Sequence, residues 1–190
     1  VRESGKTDCD LGSESTGLPM TPGSNGSPSD EREVVEICLD LLFVGEKQAV
    51  RAETRGGLGM PSDEARILAY IRENLEGIRE ETITDFVEKN RERHPVEPNF
   101  DPKSRLIPVS DEEFRHIFRD GEGWSRFRET FPDSDGTLRI SRVGFDGGVS
   151  QALVYAGQQF DWDAGSSGFW LFTKDGGSWA ESGRAGSGVS

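Results

Sequence analysis

The chain has 190 residues, enough for one domain of ordinary size, and its formal net charge of −13 argues against binding to nucleic acid or to anionic membrane surfaces. Only 33% of the residues are hydrophobic and 30% are charged, so the core must be built from part of the chain. No stretch approaches the ~18 consecutive apolar residues of a membrane span, and the acidity is compatible with a basic protein partner.

Residues 1–29 are dominated by Gly, Ser, Pro and Thr. Such a segment cannot bury enough apolar surface to offset the entropy lost on ordering. The sequence therefore predicts a disordered tail over 1–29, a single folded domain over 30–182 and a flexible tail over 183–190. No signal peptide is visible, which favours the cytoplasm, although a start at Val1 is equally compatible with a truncated or processed chain.

Apolar residues recur at helical spacing in five segments between Asp30 and Phe131. In the first segment Asp30 and Glu33 form a potential capping box, and Gly45 suits the helix end. The other four helices are predicted to begin at Ser62, to cover about 80–91, to begin at Ser110 with Glu113 completing a second capping box, and to run from Trp124 to Phe131.

Two short segments leave alternatives open. Residues 48–54 alternate weakly, which is typical of either a short strand or an edge segment. Ile107 and Val109 indicate either a short strand or a packed crossing within a connector. No regular helix is predicted through that connector because it contains Pro95, Pro98, Pro102 and Pro108.

The segment from Thr137 to Trp179 is the part richest in β-branched and aromatic residues. It contains three apolar strands, with tight turns at residues 146–148 and 175–177 and a bulge expected near Ser141. The strands are apolar on both faces, so the sheet should be covered on both faces, or covered on one and self-associating on the other. Because the helices precede the strands, the sequence predicts an α+β fold: about five amino-terminal helices packed on a three- to four-stranded antiparallel sheet formed by the carboxy-terminal third.

The segments FRETFPDSDGTLRISRVGF, SQALVYAG and SGFWLFTKDGGSW follow one another within about residues 124–179. Together they resemble a recurrent carboxy-terminal pattern in uncharacterised bacterial proteins. Members of that family often place cysteines in the loop that reads QQFDWDAGSSG here, and this sequence has none there. The resemblance implies a shared domain and no particular activity. The residues that carry it are Ser141, Arg142, Gly144, Phe145, Gln151, Ala152, Leu153, Tyr155, Gly168 and Trp179.

The segment from Gln158 to Ser167 separates the two strongest strands and is longer than a tight hairpin needs. Long loops on a rigid sheet often carry binding residues. Trp162 is therefore predicted to lie in an interaction surface for a basic or aromatic partner; the alternative is that its ring and a neighbouring ring form a lid over the sheet. The candidate binding residues of this loop are Phe160, Asp161, Trp162 and Asp163.

Arg142 completes the candidate binding residues, because a guanidinium in an apolar strand needs paired acceptors or a solvent outlet. Carboxylate partners are the expected solution, and an anion site is the alternative. Neither His94 nor His116 has metal-ligand spacing, and Asp161 and Asp163 fit turn chemistry better than an EF-hand, so no metal, cofactor or catalytic residue is predicted. The favoured function is a non-catalytic binding or protein-interaction module; the alternative is a small hydrolase-like enzyme with its site in the concave face of the sheet.

Overall fold

A computed structural model describes residues 26–42, 47–51, 53–54, 61–96 and 105–187. Most of the predicted amino-terminal tail lies outside these residues, as do Gly45 and residues 188–190. The helices are α1 (Pro28–Leu42), α2 (Pro61–Asn74), α3 (Glu80–Asn90), α4 (Asp111–Ile117) and α5 (Gly123–Thr130). The strands are β1 (Gln48–Arg51), β2 (Leu106–Val109), β3 (Thr137–Ile140), β4 (Gly144–Phe145), β5 (Gln151–Gln159), β6 (Gly165–Asp175) and β7 (Ser178–Ser187). None of the described helices has the length and apolarity required to cross a bilayer.

The strands form one mixed sheet of seven strands in the order β2-β1-β3-β5-β6-β7, with β4 paired to β5. Strand β1 runs parallel to both β2 and β3, whereas the remaining pairs are antiparallel. The predicted sheet of three to four antiparallel strands from the carboxy-terminal third is therefore wrong, and helices and strands are interleaved along the chain.

The error has a physical origin in β1 and β2. Each of these strands has only four residues, too few to show a clear alternation. Their pairing partners lie far away in the sequence, as shown by the amide of Ala49, which binds the carbonyl of Gly136 and the hydroxyl of Ser134. Local propensity therefore could not indicate that either segment belongs to the sheet.

Helices cover both faces of the sheet, which is the first of the two arrangements that the apolar strands left open. Cross-strand partners share a face, so Val154 and Trp170 lie on one side, and Leu153 and Leu171 on the other. Helix α1 covers the first face through Val34, Val35, Cys38, Leu39 and Leu42. On the second face, α2 and α3 cover one end through Ile71, Leu75, Ile83, Phe86 and Val87, and α4 and α5 cover the other through Ile117, Trp124 and Phe127 packed on Ala49 and Val109.

The carboxy-terminal strands differ in detail from the prediction. The chain leaves the sheet after Ile140 and re-enters it at Gly144, so an interruption occurs where a bulge was expected. A register shift occurs instead opposite Leu171 and Phe172, in the pairing of β6 with β7. Strand β7 continues to Ser187 and so includes residues 183–187, which composition alone assigned to a tail. The turn at Gly176 and Gly177 has positive φ at both residues, as its glycines predicted.

Helix α3 lies directly on β4. A Cβ atom at Gly144 would come within 2.4 Å of the backbone nitrogen of Phe86. Asp85 in the same helix accepts a hydrogen bond from the backbone amide of Phe145 at 2.7 Å, and its carboxylate pairs with half-buried Lys89 at 2.8 Å. Polar contacts therefore fix the position of β4 beneath a helix that touches its backbone.

Helix α1 begins earlier than the sequence indicated. Pro28 is the first helical residue, a position that suits its fixed φ and missing amide hydrogen. The hydroxyl of Ser27 donates to Asp30 Oδ2 at 2.6 Å and accepts from the Asp30 amide at 3.2 Å. Ser27 and Asp30 thus form the capping box, in place of the predicted pair of Asp30 and Glu33.

Asp30 also ties α1 to the far end of the sheet. Its carboxylate accepts a hydrogen bond from Lys174 Nζ at 2.7 Å, and the indole of Trp179 lies at 3.4 Å. The pKa of Asp30 is lowered from 3.8 to about 2, mainly by the hydrogen bond from Lys174 and secondly by the hydrogen bond from Ser27. Folding therefore favours the ionised carboxylate.

This lowered pKa makes part of the stability dependent on pH. A group whose pKa falls on folding stabilises the protein above its unfolded pKa, and that contribution is lost as the pH falls through the folded value. We expect Asp30→Asn to lower the free energy of unfolding by about 1–2 kcal/mol at pH 6 and to have little effect near pH 2. Urea denaturation of both proteins between these pH values measures the difference. This account would be contradicted if the stability difference caused by Asp30→Asn did not change with pH. It would also be contradicted if Asp30→Asn caused the same difference in a protein that carries Lys174→Met.

Candidate functional site

A groove lies on the second face of the sheet, between the end covered by α2 and α3 and the end covered by α4 and α5. Its volume is about 220 Å³. The floor comes from β3, β5 and β6, and the loop between β5 and β6 forms one wall. The lining residues are Arg139, Tyr155, Gly157, Gln158, Gln159, Trp162, Ala164, Gly165, Ser166 and Ser167.

The register of the sheet explains how these residues meet. Arg139 pairs with Gly157, and Gly157 pairs with Ser167, so all three project toward the same face. Tyr155 and Gln159 lie two residues from Gly157 on the same strand and therefore share that face. A Cβ atom at Gly157 would approach Cβ of Ser167 to 2.7 Å, so this position requires glycine. Because glycine has no side chain, nothing projects from the floor of the groove at this point.

The loop above the groove is shorter than predicted. Strand β5 continues to Gln159 and β6 begins at Gly165, so the loop consists of residues 160–164 only. The carbonyl of Ala164 accepts hydrogen bonds from the amide of Phe160 at 2.7 Å and from the amide of Asp161 at 3.2 Å. The loop is therefore closed by its own backbone.

The two aromatic residues of this loop point in different directions. Trp162 is 54% exposed, and its ring meets Phe118 edge to face with centroids 5.9 Å apart. Phe160 is half-buried and lies against Gly136, at the turn that leads into β3. Phe160 thus folds back toward the sheet, whereas Trp162 forms an exposed wall of the groove and is in contact with Phe118.

The acidic residues of the loop do not face the groove as free carboxylates. Asp161 accepts a hydrogen bond from Arg128 Nη2 at 2.6 Å and another from the amide of Trp162 at 2.8 Å. The bond from Arg128 is the main cause that lowers the pKa of Asp161. Asp163 is exposed and is not among the residues that line the groove.

Arg139 supplies the positive charge of the groove. Its side chain is exposed, and its hydrogen bond to Gln159 Oε1 is long at 3.4 Å. No carboxylate among the described residues is close enough to Arg139 to form an ion pair. The amide nitrogen of Gln159 is directed elsewhere, because it donates to the carbonyl of Asp161 at 3.1 Å.

Arg142 is not part of this groove. Its Nε and Nη2 atoms donate to the two carboxylate oxygens of Glu31 at 2.6 and 2.8 Å, which is the carboxylate pairing expected from the sequence. Glu31 also accepts a hydrogen bond from the amide of Val143 at 3.1 Å. The structure therefore separates Arg142 from the other four candidate residues and connects it to α1.

Sequence reasoning identified Trp162 but missed Arg139 and Tyr155. Arg139 lies between two core residues, Leu138 and Ile140, so alternation alone indicates an exposed position. What alternation could not show is the register of β3 against β5, which places Arg139 beside Gly157 and close to the loop. The groove therefore becomes visible only when the two strands are paired.

The lining residues offer hydrogen-bond donors and aromatic surface, a combination suited to binding. His94 and His116 do not line the groove, and within the described part of the chain no three metal-ligating side chains cluster. Burial raises the pKa of the Cys38 thiol well above its usual value, which makes this cysteine a core residue rather than a nucleophile. No family model, curated protein or solved structure matches the chain.

Proposed function

We propose that this protein is a non-catalytic binding module and that the groove beside Trp162 is its binding site. The observation that carries the proposal is the exposure of Trp162, 54% of whose surface is open on the wall of a polar groove. Tryptophan is enriched at binding hot spots because its ring supplies a large contact area together with an N–H donor.

The exposure of Trp162 is unusual within this molecule. Among the described residues, the large hydrophobic side chains exposed to solvent are Trp162 and Leu41. The other three tryptophans, Trp124, Trp170 and Trp179, are buried in two of the core clusters. An apolar ring left in solvent beside hydrogen-bond donors favours a role in recognition over a role in packing.

The groove also restricts the kind of partner. The sequence favoured a basic or aromatic partner, and the positive charge of Arg139 argues against a basic group inside the groove. The aromatic alternative retains its support, because Trp162 and Tyr155 both line the groove and rings of this kind stack on flat ligands.

The proposal predicts the effect of Trp162→Ala. From a set of neutral, anionic and cationic aromatic fragments, we expect some to bind in the groove and to shift the backbone amide NMR signals of Gly157 and Gly165. Trp162→Ala should lower the affinity for these fragments about tenfold or more, because a stacking surface is lost. The melting temperature should stay unchanged, since more than half of the ring is already in solvent.

Leu41→Ala is the matched control, because Leu41 is 47% exposed and lies on α1, which covers the opposite face of the sheet. This variant should bind the fragments as the original protein does. Two results would overturn the proposal: fragment binding that survives Trp162→Ala, or a loss of about 3 kcal/mol in unfolding free energy, which is typical of a buried aromatic ring.

A further inference from the structure

Resting on the proposed function, we propose that the groove recognises a carboxylate attached to a flat ring. Arg139 would hold the carboxylate, and Trp162 and Tyr155 would contact the ring. The residues that line the groove thus indicate the chemical class of the ligand, whereas the net charge of the protein did not.

The charge of Arg139 supports the anionic half of the ligand. A guanidinium presents a fork of N–H donors that matches a carboxylate in two parallel hydrogen bonds. Elsewhere in the described chain, Arg72 uses this fork with Glu80 and Arg142 uses it with Glu31. Among the described residues, Arg139 makes only its long contact to Gln159, so its donors can turn to a ligand.

The acidic net charge of the protein does not prevent this. Charges farther away than about 8 Å are largely screened at physiological salt. Of the two acidic residues in the loop, Asp161 is paired with Arg128 at 2.6 Å, and Asp163 does not line the groove. Arg139 is therefore the charged side chain among the lining residues.

The aromatic residues support the flat half of the ligand. Tyr155 is half-buried and is held by Phe169, with ring centroids 5.1 Å apart. Trp162 meets Phe118 in a T-shaped contact and is still 54% exposed, so much of its ring remains open to a ligand. Between them Gly157 has no side chain, so the sheet backbone forms a flat floor on which a ring can lie.

The size of the groove limits the ligand. A volume of about 220 Å³ is below the roughly 300–1,000 Å³ of sites that hold drug-sized molecules. It suits one ring system with a short acidic substituent. A small aromatic acid and the carboxy-terminal residue of a peptide that ends in an aromatic residue both offer this chemistry.

The test compares phenylacetate with phenylacetamide and benzylamine, using the full chain and the amide signals of Gly157 and Gly165. We expect phenylacetate to bind with a dissociation constant of about 1 mM or lower, and the neutral amide to bind at least tenfold more weakly. Benzylamine should cause no shift. A tripeptide that ends in tryptophan, with a free or an amidated carboxyl group, shows whether the groove prefers a peptide end to the free acid.

Arg139→Gln should lower the affinity for phenylacetate at least tenfold and leave the affinity for phenylacetamide unchanged. Arg139→Lys should lose less affinity for phenylacetate than Arg139→Gln, but it should not reach the original value because lysine cannot form the double hydrogen bond. Arg184→Gln is the matched control. Arg184 is exposed on β7 beside Trp170, on the face covered by α1, so this variant removes the same charge outside the groove. It should bind both probes normally.

Each unfavourable outcome has a distinct meaning. If acid and amide bind equally, or if Arg184→Gln weakens phenylacetate as much as Arg139→Gln does, recognition of a carboxylate by Arg139 is wrong although the groove still binds ligands. If phenylacetate fails to bind while other fragments bind, the proposed ligand class is wrong. If no fragment shifts the groove signals, the proposed function fails together with this inference.

Discussion

Replacing Glu31 by alanine is expected to lower the free energy of unfolding by about 3–5 kcal/mol, the usual cost of removing one partner of a buried ion pair. Glu31 is buried, and its carboxylate binds Arg142 through two hydrogen bonds of 2.6 and 2.8 Å. The variant removes both bonds and also deprives the buried amide of Val143 of its acceptor. Urea denaturation at neutral pH measures the loss.

Glu33→Ala provides the comparison, because Glu33 lies on the same helix and is exposed. That change should alter stability by no more than about 0.5 kcal/mol. Glu31→Gln should fall between the two, since it keeps an acceptor for Val143 and loses the charge. A loss below about 1 kcal/mol for Glu31→Ala would show that water replaces the carboxylate, and the pair would then contribute as little as an exposed one.

Gly144→Ala is expected to lower the free energy of unfolding by about 3 kcal/mol or more, at the upper end of overpacking effects. The added methyl group would lie 2.4 Å from both the backbone nitrogen and Cβ of Phe86. A flexible side chain could move aside, but these atoms belong to the backbone and root of a residue that is itself completely buried. Helix α3 would have to move away from β4, which would disturb the hydrogen bond from the Phe145 amide to Asp85.

Gly121→Ala is the control for this experiment. Apart from its chain neighbours, no atom of the described residues lies within 4 Å of the position that its Cβ would occupy, and its φ is not positive. It should change stability by about 0.5 kcal/mol at most. A Gly144→Ala protein as stable as this control would mean that α3 shifts at no cost and that its close contact with β4 has little energetic importance.

Some features of the fold could be read directly from the sequence. Alternation placed Phe169 and Leu171 on one face and Trp170 and Phe172 on the other, and the core clusters contain them in that division. The second capping box also forms on its Ser110 side, where the hydroxyl accepts from the amide of Glu113 at 3.2 Å. Periodicity, turns and caps are local, so the local sequence specifies them.

Other features depend on contacts between distant segments. The parallel strands β1 and β2 were not assigned to the sheet because four residues show too little pattern and because parallel partners need not be neighbours in sequence. The groove was missed for the same reason. Trp162 could be identified from its loop, whereas Arg139 acquires its role only through the pairing of β3 with β5.

The ties of α1 have a consequence for synthesis of the chain. Three of its hydrogen bonds reach residues 111, 144 and 149 positions further along the chain, at Arg142, Lys174 and Trp179. On the ribosome this helix therefore emerges long before β5 and β7, two strands that it packs against. The apolar face of α1 stays exposed to water or to nascent-chain factors until β7 has left the exit tunnel and can help to bury it. Burial of the first helix is therefore a late step in the folding of this domain, and the speed of elongation sets how long that face stays uncovered.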